Sequence, residues 1–113
     1  MANLPLAIPV NELGMDEFER AQTLARRYHA DFIDLKNFKI QHDLFKRVPV
    51  DMMFRYNFVP LEQVGSRLAI AVSDPSKLMV LDEISGLLGM RLVTRVATLS
   101  QITELLKKTE QSQ

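Results

Sequence analysis

The sequence predicts an α+β sandwich in a single domain: a small mixed sheet of about four strands with helices packed on it. At 113 residues the chain has a common domain size and can bury one core. Its apolar residues change repeatedly between helical spacing and strand-like alternation. After residue 66 a strand, a helix and a second strand follow one another, which favours a right-handed parallel crossover beside an antiparallel hairpin.

The first 14 residues are expected to form an extended arm, because Pro5 and Pro9 interrupt them and no helical or strand spacing is present. A helix should begin near Asp16, since acidic side chains suit the positive N-terminal end of a helix. Its inner face is marked by apolar residues at helical spacing, namely Phe18, Ala21, Leu24, Ala25 and Tyr28.

A short strand and two short helices are predicted next. Residues 32–35 are apolar and partly β-branched, which is typical of a strand. The two helices should meet at Pro49, because the residue before a proline leaves the α region and proline itself suits a first helical turn. Asn57 is expected to end the second of these helices.

The most informative signal is a hairpin that leads into a helix. Two apolar runs, residues 58–64 and 67–72, flank Gly65 and Ser66. A two-residue connection with glycine favours a hairpin, because glycine adopts positive φ without strain. Pro60 cannot donate a ladder hydrogen bond, so the first run is expected at or near an edge of the sheet.

The hairpin is followed by clear helix boundaries. Ser73 or Asp74 can cap a helix that begins at Pro75, and Gly89 is expected to end that helix. These boundaries complete a predicted structural signature of the domain, which consists of Pro49, Gly65, Asp74, Pro75 and Gly89.

The C-terminal part is predicted to be a strand and a helix. Residues 91–97 form the strand, and Thr-Leu-Ser-Gln at residues 98–101 fits the capping box of the last helix. Residues 110–113 are expected to be a frayed tail. The domain proper is therefore placed at residues 15–109.

The composition excludes several classes of partner and chemistry. Fourteen basic and fourteen acidic side chains cancel, so no overall field attracts nucleic acid or an anionic membrane. The chain has no cysteine, which removes disulfides and thiolate sites and is compatible with a reducing cytoplasm. Its first ten residues have neither the charge pattern of a signal peptide nor the length of a membrane span.

The sequence contains no recognisable catalytic constellation. None of its four glycines fits a phosphate-binding loop, and no Gly-x-Ser-x-Gly nucleophile elbow is present. His29 and His42 are isolated, which argues against a metal site. Asp82 and Glu83 are adjacent and are expected on a solvated helix face. The chain is therefore predicted not to be an enzyme and to need no cofactor or metal.

Two features of the sequence resemble binding sites. Arg20, Arg26 and Arg27 form the densest basic group, which is either a solvated helix surface or a contact for an acidic partner or a phosphate. The run from Gly86 to Gly89 has the spacing of the RNA-gripping loop of KH domains, but its two leucines suit a core better. The three arginines are therefore the candidate partner-binding residues, and no nucleic-acid partner is predicted.

Several segments together resemble a known family. Leu-Ala-Arg-Arg-Tyr-His-Ala-Asp-Phe-Ile-Asp-Leu at residues 24–35, Val-Pro at 48–49 and Ala-Val-Ser-Asp-Pro at 71–75 are similar to the N-terminal domain of type II secretion and type IV pilus assembly ATPases. The resemblance covers most of the chain and implies a bacterial cytoplasmic domain that docks a motor on an inner-membrane platform. Because the phosphate-binding loop of the motor is absent, the chain is either a separately encoded relative or part of a larger ATPase.

One branch of that family binds cyclic di-GMP through two tandem motifs that begin with Arg-Leu-Gly and end with Leu-x-x-Gln. Here one imperfect copy fits residues 5–27: Leu6 and Gly14 match, but Pro5 replaces the arginine and Arg27 replaces the glutamine. Binding of cyclic di-GMP is therefore not expected from these residues.

The resemblance leads to two function hypotheses. The preferred one is a non-catalytic adaptor or regulatory domain that docks to a protein of a type II secretion, type IV pilus or related motility machine. Its partner is a motor or platform component or a regulatory GTPase. The alternative is a sensor domain for cyclic di-GMP or another nucleotide. Either way, the implied location is the cytoplasm, with recruitment to the inner membrane or cell pole through a partner and without direct membrane insertion.

Overall fold

A four-stranded mixed sheet and five helices make up residues 16–111, the part of the chain that the computed structural model describes. The helices are α1 (Glu17–Arg27), α2 (His42–Arg47), α3 (Val50–Tyr56), α4 (Leu78–Leu88) and α5 (Leu99–Gln111). The strands are β1 (Asp31–Phe32), β2 (Phe58–Val64), β3 (Arg67–Val72) and β4 (Arg91–Val96). This architecture confirms the predicted α+β class, and the predicted arm at residues 1–14 lies outside the described residues.

The predicted hairpin is formed by β2 and β3, which pair antiparallel around a turn where Gly65 has φ of 63°. The sheet order is β1-β4-β3-β2, so β2 is an edge strand as Pro60 indicated. The register shifts between Pro60 and Glu62, which places a bulge directly after the proline. The missing N–H of Pro60 is thus accommodated at an edge and beside a bulge.

The predicted parallel crossover is also present. β3 pairs parallel with β4 through the connection made by α4, and β4 pairs parallel with β1. All residues of β3 after Arg67 are buried, because β3 lies between two strands and is covered on both faces. Because the two strands are parallel and in register, β3 and β4 end side by side at the same end of the sheet.

The first strand is shorter than predicted. Residues 32–35 were expected to be a strand, but β1 ends at Phe32 and the N–H of Ile33 makes one further bond, 2.8 Å to the Val96 carbonyl. The backbone N–H of Leu35 bonds to α5 instead, since Leu35 N lies 2.9 Å from Gln101 Oε1. The chain therefore leaves the sheet to bind a side chain 66 residues away.

Helix α4 begins three residues later than predicted. Residue Lys77 occupies the N-cap position without a side-chain cap, so the predicted capping role of Ser73 or Asp74 is wrong. Asp74 Oδ1 instead accepts hydrogen bonds from the backbone N–H of Ser76, at 3.0 Å, and from the Ser76 hydroxyl. This local turn competes with the helix for the same donors and delays its start. At the other end, Gly89 follows α4 with φ of 67°, and Gly86 lies within the helix rather than in a loop.

The start of α5 shows half of the predicted capping box. Thr98 Oγ1 accepts from Gln101 N at 3.1 Å, but the Gln101 side chain turns away and donates to Asp34 at 2.8 Å. The helix continues to Gln111, two residues beyond the boundary placed at residue 109. Residues 112 and 113 lie outside the described part of the chain.

The core consists of two clusters on the sheet. The large one joins β2 and β3 to the helices from α2 to α5, and its fully buried members include Met53, Phe58, Leu68, Ile70, Ile84 and Ile102. The small one is formed by α1, whose Ala21 and Ala25 pack against Val96 of β4. Because α1 is attached mainly through two alanines, it lies close to the ends of the strands beneath it.

The Asp34 bridge to α5 predicts a dependence of stability on pH. The backbone N–H of Lys36, and then the Gln101 amide, hold the pKa of Asp34 below its ordinary value of 3.8. A carboxylate whose folded-state pKa is lowered stabilises the fold above its unfolded-state pKa, and this stabilisation is lost as the pH falls through the folded-state value. The Asp34→Asn variant should therefore be less stable than the wild type near neutral pH, and the gap should close below pH 3.8.

Urea unfolding at several pH values measures this gap. The matched control is Asp31→Asn, which changes an exposed carboxylate three residues earlier in the same segment. A gap between the wild type and Asp34→Asn that stayed constant across the acid range would show that the ionised carboxylate does not stabilise the bridge.

Candidate functional site

A cavity of about 270 Å³ lies where the ends of β3 and β4 meet α1. Because the two strands are parallel neighbours that end at Val72 and Val96, the residues that follow them emerge side by side. Crevices beyond the carboxyl ends of parallel strands are the usual ligand sites of open α/β sheets. The described residues that line this cavity, here called the α1 cavity, are Glu17, Arg20, Ala21, Leu24, Ser73, Asp74, Lys77, Ala97, Thr98 and Leu99.

The α1 cavity contains charges of both signs. Arg20 comes from α1 and Lys77 from the start of α4, so two cations reach it from different elements. Two carboxylates, Glu17 and Asp74, lie among the same lining residues. Such a lining can pair with phosphate oxygens through the cations and can accept hydrogen bonds from a ligand through the carboxylates.

Asp74 is held in one orientation by its neighbour. The Ser76 hydroxyl donates to Asp74 Oδ1, and the Ser76 backbone N–H donates to the same oxygen at 3.0 Å. The hydroxyl bond is the largest cause that keeps the pKa of Asp74 below its ordinary value. Asp74 is therefore an ionised hydrogen-bond acceptor at neutral pH.

The wall formed by the start of α5 is already hydrogen-bonded. Glu17 Oε2 accepts from Ser100 N at 3.3 Å, which links α1 to the first turn of α5. Thr98 is only 5% exposed, and its hydroxyl oxygen accepts from Gln101 N. These bonds fix the shape of the cavity and leave Arg20 and Lys77 as its exposed cations.

The three predicted arginines do not act as one group in the structure. Arg20 lines the α1 cavity, whereas Arg26 and Arg27 do not. Arg26 Nη2 lies 3.4 Å from Thr23 Oγ1 on its own helix, and Arg27 is exposed. Their role in binding a partner stays a prediction. The signature residues Pro49, Gly65, Pro75 and Gly89 lie at turns or helix ends, and Asp74 alone lines the cavity.

Sequence reasoning missed Lys77, Ser73 and Thr98 as site residues. A signal for them was available, because Ser73 follows β3 and Thr98 follows shortly after β4. Once the crossover had been predicted to be parallel, the two positions could be placed at one edge of the sheet. The contribution of α1 could not be placed in this way, since its packing position depends on contacts far apart in sequence.

Residues 24–113 match the sequence profile of the MshEN domain. This chain belongs to the MshEN domain family. A curated relative, the type IV pilus assembly ATPase PilB of Myxococcus xanthus, is 29% identical over 94 residues, which cover 83% of this chain. This match spans only 17% of the length of that ATPase.

Solved structures share the fold of this MshEN domain. The structure of MshE with cyclic di-GMP has a TM-score of 0.77 at 20% identity and covers 88% of this chain and 72% of its own. A structure of the N-terminal domain of XpsE has a TM-score of 0.69 at 18% identity, covering 87% and 70% of the two chains. The resemblance to N-terminal domains of pilus and secretion ATPases is thus confirmed.

One expectation about partners is corrected by these comparisons. Cyclic di-GMP was not expected to bind, but a domain of the same family fold, MshE, has been solved with cyclic di-GMP. The expectation relied on an imperfect motif within residues 5–27, of which residues 5–15 lie outside the described part of the chain.

Proposed function

We propose that this MshEN domain is a non-catalytic regulatory domain of a type IV pilus or type II secretion machine and that it binds cyclic di-GMP in the α1 cavity. The observation that carries the proposal is the cavity itself, which brings Arg20, Lys77 and Asp74 together at the ends of parallel strands. The fold shared with MshE, solved with cyclic di-GMP, supports the choice of ligand.

The charges of the α1 cavity suit a guanine nucleotide. Arg20 and Lys77 supply donors for phosphate oxygens, and charge-assisted bonds of this kind are the stronger ones in proteins. The ionised Asp74 can accept from the N–H groups on the edge of a guanine base. At about 270 Å³ the cavity is slightly smaller than the roughly 300 Å³ at which ligand pockets usually begin, so we expect one half of the dinucleotide to enter it.

A binding role rather than catalysis is supported by the lining of the α1 cavity. Its described residues include no histidine or cysteine, and its two carboxylates already accept hydrogen bonds, Asp74 from Ser76 and Glu17 from the backbone N–H of Ser100. The sequence also lacks the phosphate-binding loop that an ATPase needs. We therefore assign any hydrolysis of nucleotide to other parts of the machine.

A second function, docking to a protein partner, is favoured by exposed apolar side chains on α4. Met79 is 86% exposed and Leu78 is 67% exposed, although both could have been polar without loss to the core.

Among residues 16–111 no helix combines the length and apolar character needed to cross a bilayer. We propose that the domain works in the cytoplasm and is recruited to the inner membrane or cell pole through this partner.

Isothermal titration calorimetry of the full chain with cyclic di-GMP tests the nucleotide proposal. We expect saturable binding in about the micromolar range, as a few charge-assisted hydrogen bonds can support. Cyclic di-AMP is the matched control, because adenine does not offer the same donors to Asp74 and should bind more weakly. No heat with cyclic di-GMP at high concentration, or equal affinity for both dinucleotides, would contradict the proposal.

A further inference from the structure

The outer face of α4 combines apolar and acidic side chains. Met79 and Leu87 are 86% and 61% exposed, and Asp82 and Glu83 lie between them along the helix. Spacings of three, four and seven residues place Met79, the two carboxylates and Gly86 on the same side of the helix. The buried side of α4 is marked by Ile84 instead, which is 0% exposed. The exposed residues thus form one continuous surface.

Gly86 lies within this surface and has no evident purpose inside the domain. Glycine weakens a helix relative to alanine, yet a Cβ added at Gly86 would meet nothing within 4 Å. Gly89 differs, since its φ of 67° requires a residue that tolerates the left-handed region. The fold of the domain therefore does not require glycine at this position. Without a side chain, Gly86 leaves space beside Leu87 for another molecule to approach the helix backbone.

The charge of this surface indicates the chemistry of the partner that would bind it. The sequence of α4 contains Asp82 and Glu83 and no lysine or arginine. Glu83 accepts a hydrogen bond from the Tyr56 hydroxyl, which fixes its carboxylate at the edge of the apolar surface. Arg55, which interacts with the Tyr56 hydroxyl, offsets part of this charge. The two carboxylates beside Met79 and Leu87 still make this surface complementary to one that is apolar and basic.

We propose that the outer face of α4 docks a basic amphipathic helix of a partner protein, which crosses α4 at Gly86. The apolar side of the partner helix covers Met79 and Leu87, and its lysines or arginines pair with the two carboxylates. The absence of a side chain at Gly86 allows the two helices to approach closely. This inference rests on the docking part of the proposed function and not on the nucleotide site.

The probes are two synthetic helical peptides with the same leucine pattern. One has lysine at its polar positions and the other has glutamate. Fluorescence anisotropy with the full chain should show about tenfold tighter binding of the lysine peptide. The Gly86→Ala variant should raise the urea midpoint of unfolding and yet weaken this binding, because its methyl group strengthens the helix and fills the crossing point. If Gly86 had only a structural role, Gly86→Ala would raise the urea midpoint without weakening the binding of the lysine peptide.

Surface variants locate the contact. Replacing both Met79 and Leu87 with serine should abolish binding of the lysine peptide, whereas Val64→Ser, which changes an apolar side chain 44% exposed on β2, should leave it unchanged. Equal binding of both peptides, or undiminished binding to Gly86→Ala, overturns the proposal. So does a concentration-dependent dimer that is lost with Met79 and Leu87, because the occupant is then a second copy of the chain.

The nucleotide titration distinguishes the two proposals. The α4 variants should bind cyclic di-GMP as the wild type does, since none of the substituted residues lines the α1 cavity. Peptide binding without nucleotide binding contradicts only the nucleotide site. Nucleotide binding without peptide binding contradicts only the docking surface.

Discussion

Replacement of Phe58 with alanine is expected to lower the free energy of unfolding by about 3–5 kcal/mol. Phe58 is 0% exposed and opens β2 opposite Val72, so its ring lies in the large core cluster rather than at the edge of the sheet. Truncation removes the apolar area that the ring buries and leaves a cavity that a close-packed interior cannot fully close. Urea unfolding followed by circular dichroism measures the loss.

The control for Phe58 is Val64→Ala at the other end of the same strand. Val64 is 44% exposed, so its truncation should change the free energy of unfolding by less than about 1 kcal/mol. Equal destabilisation by the two variants would mean that β2 contributes to stability through its backbone pairing and not through the burial of Phe58.

The parts of the fold that were predicted correctly are those encoded by neighbouring residues. The hairpin depends on Gly65 between two apolar runs, and the edge position of β2 depends on the missing N–H of Pro60. The left-handed end of α3 at Asn57 is equally local. Each of these features is set by the backbone preference of one or two residues, which can be recognised without knowledge of the tertiary structure.

The features that were missed depend on contacts between distant segments. The short β1 follows from the bond between Leu35 and Gln101, which no local pattern reveals. The same Gln101 side chain bonds to Asp34 and so does not complete its own capping box. The late start of α4 has a local cause, the Asp74 turn, but Pro75 offered a competing helix start that the sequence could not decide against.

The candidate site also depends on contacts between distant segments, which the sequence does not reveal. Arg20, Arg26 and Arg27 were grouped because they are close in sequence, whereas only Arg20 reaches the α1 cavity. Lys77, which is 57 residues later in the chain, lines the same cavity from the start of α4. A binding site assembled from three separate elements is recognised only when the packing of α1 is known.

Arg20 and Lys77 are the two exposed cations of the α1 cavity. We expect Arg20→Ala and Lys77→Ala each to weaken binding of cyclic di-GMP by about tenfold, because each removes a charge-assisted hydrogen bond worth about 1.5 kcal/mol or more. The double variant should bind about a hundredfold more weakly if the two cations contact different phosphate oxygens. Both side chains are exposed, so the free energy of unfolding should change little.

Calorimetric comparison of these variants with Arg27→Ala tests whether the α1 cavity is the nucleotide site. Arg27 carries the same charge on the same helix as Arg20 but does not line the α1 cavity. We expect that Arg27→Ala binds cyclic di-GMP as the wild type does, while the Arg20 and Lys77 variants lose affinity. Unchanged affinity in the Arg20→Ala and Lys77→Ala variants, or an equal loss in all three, would contradict the assignment of the nucleotide site to the α1 cavity.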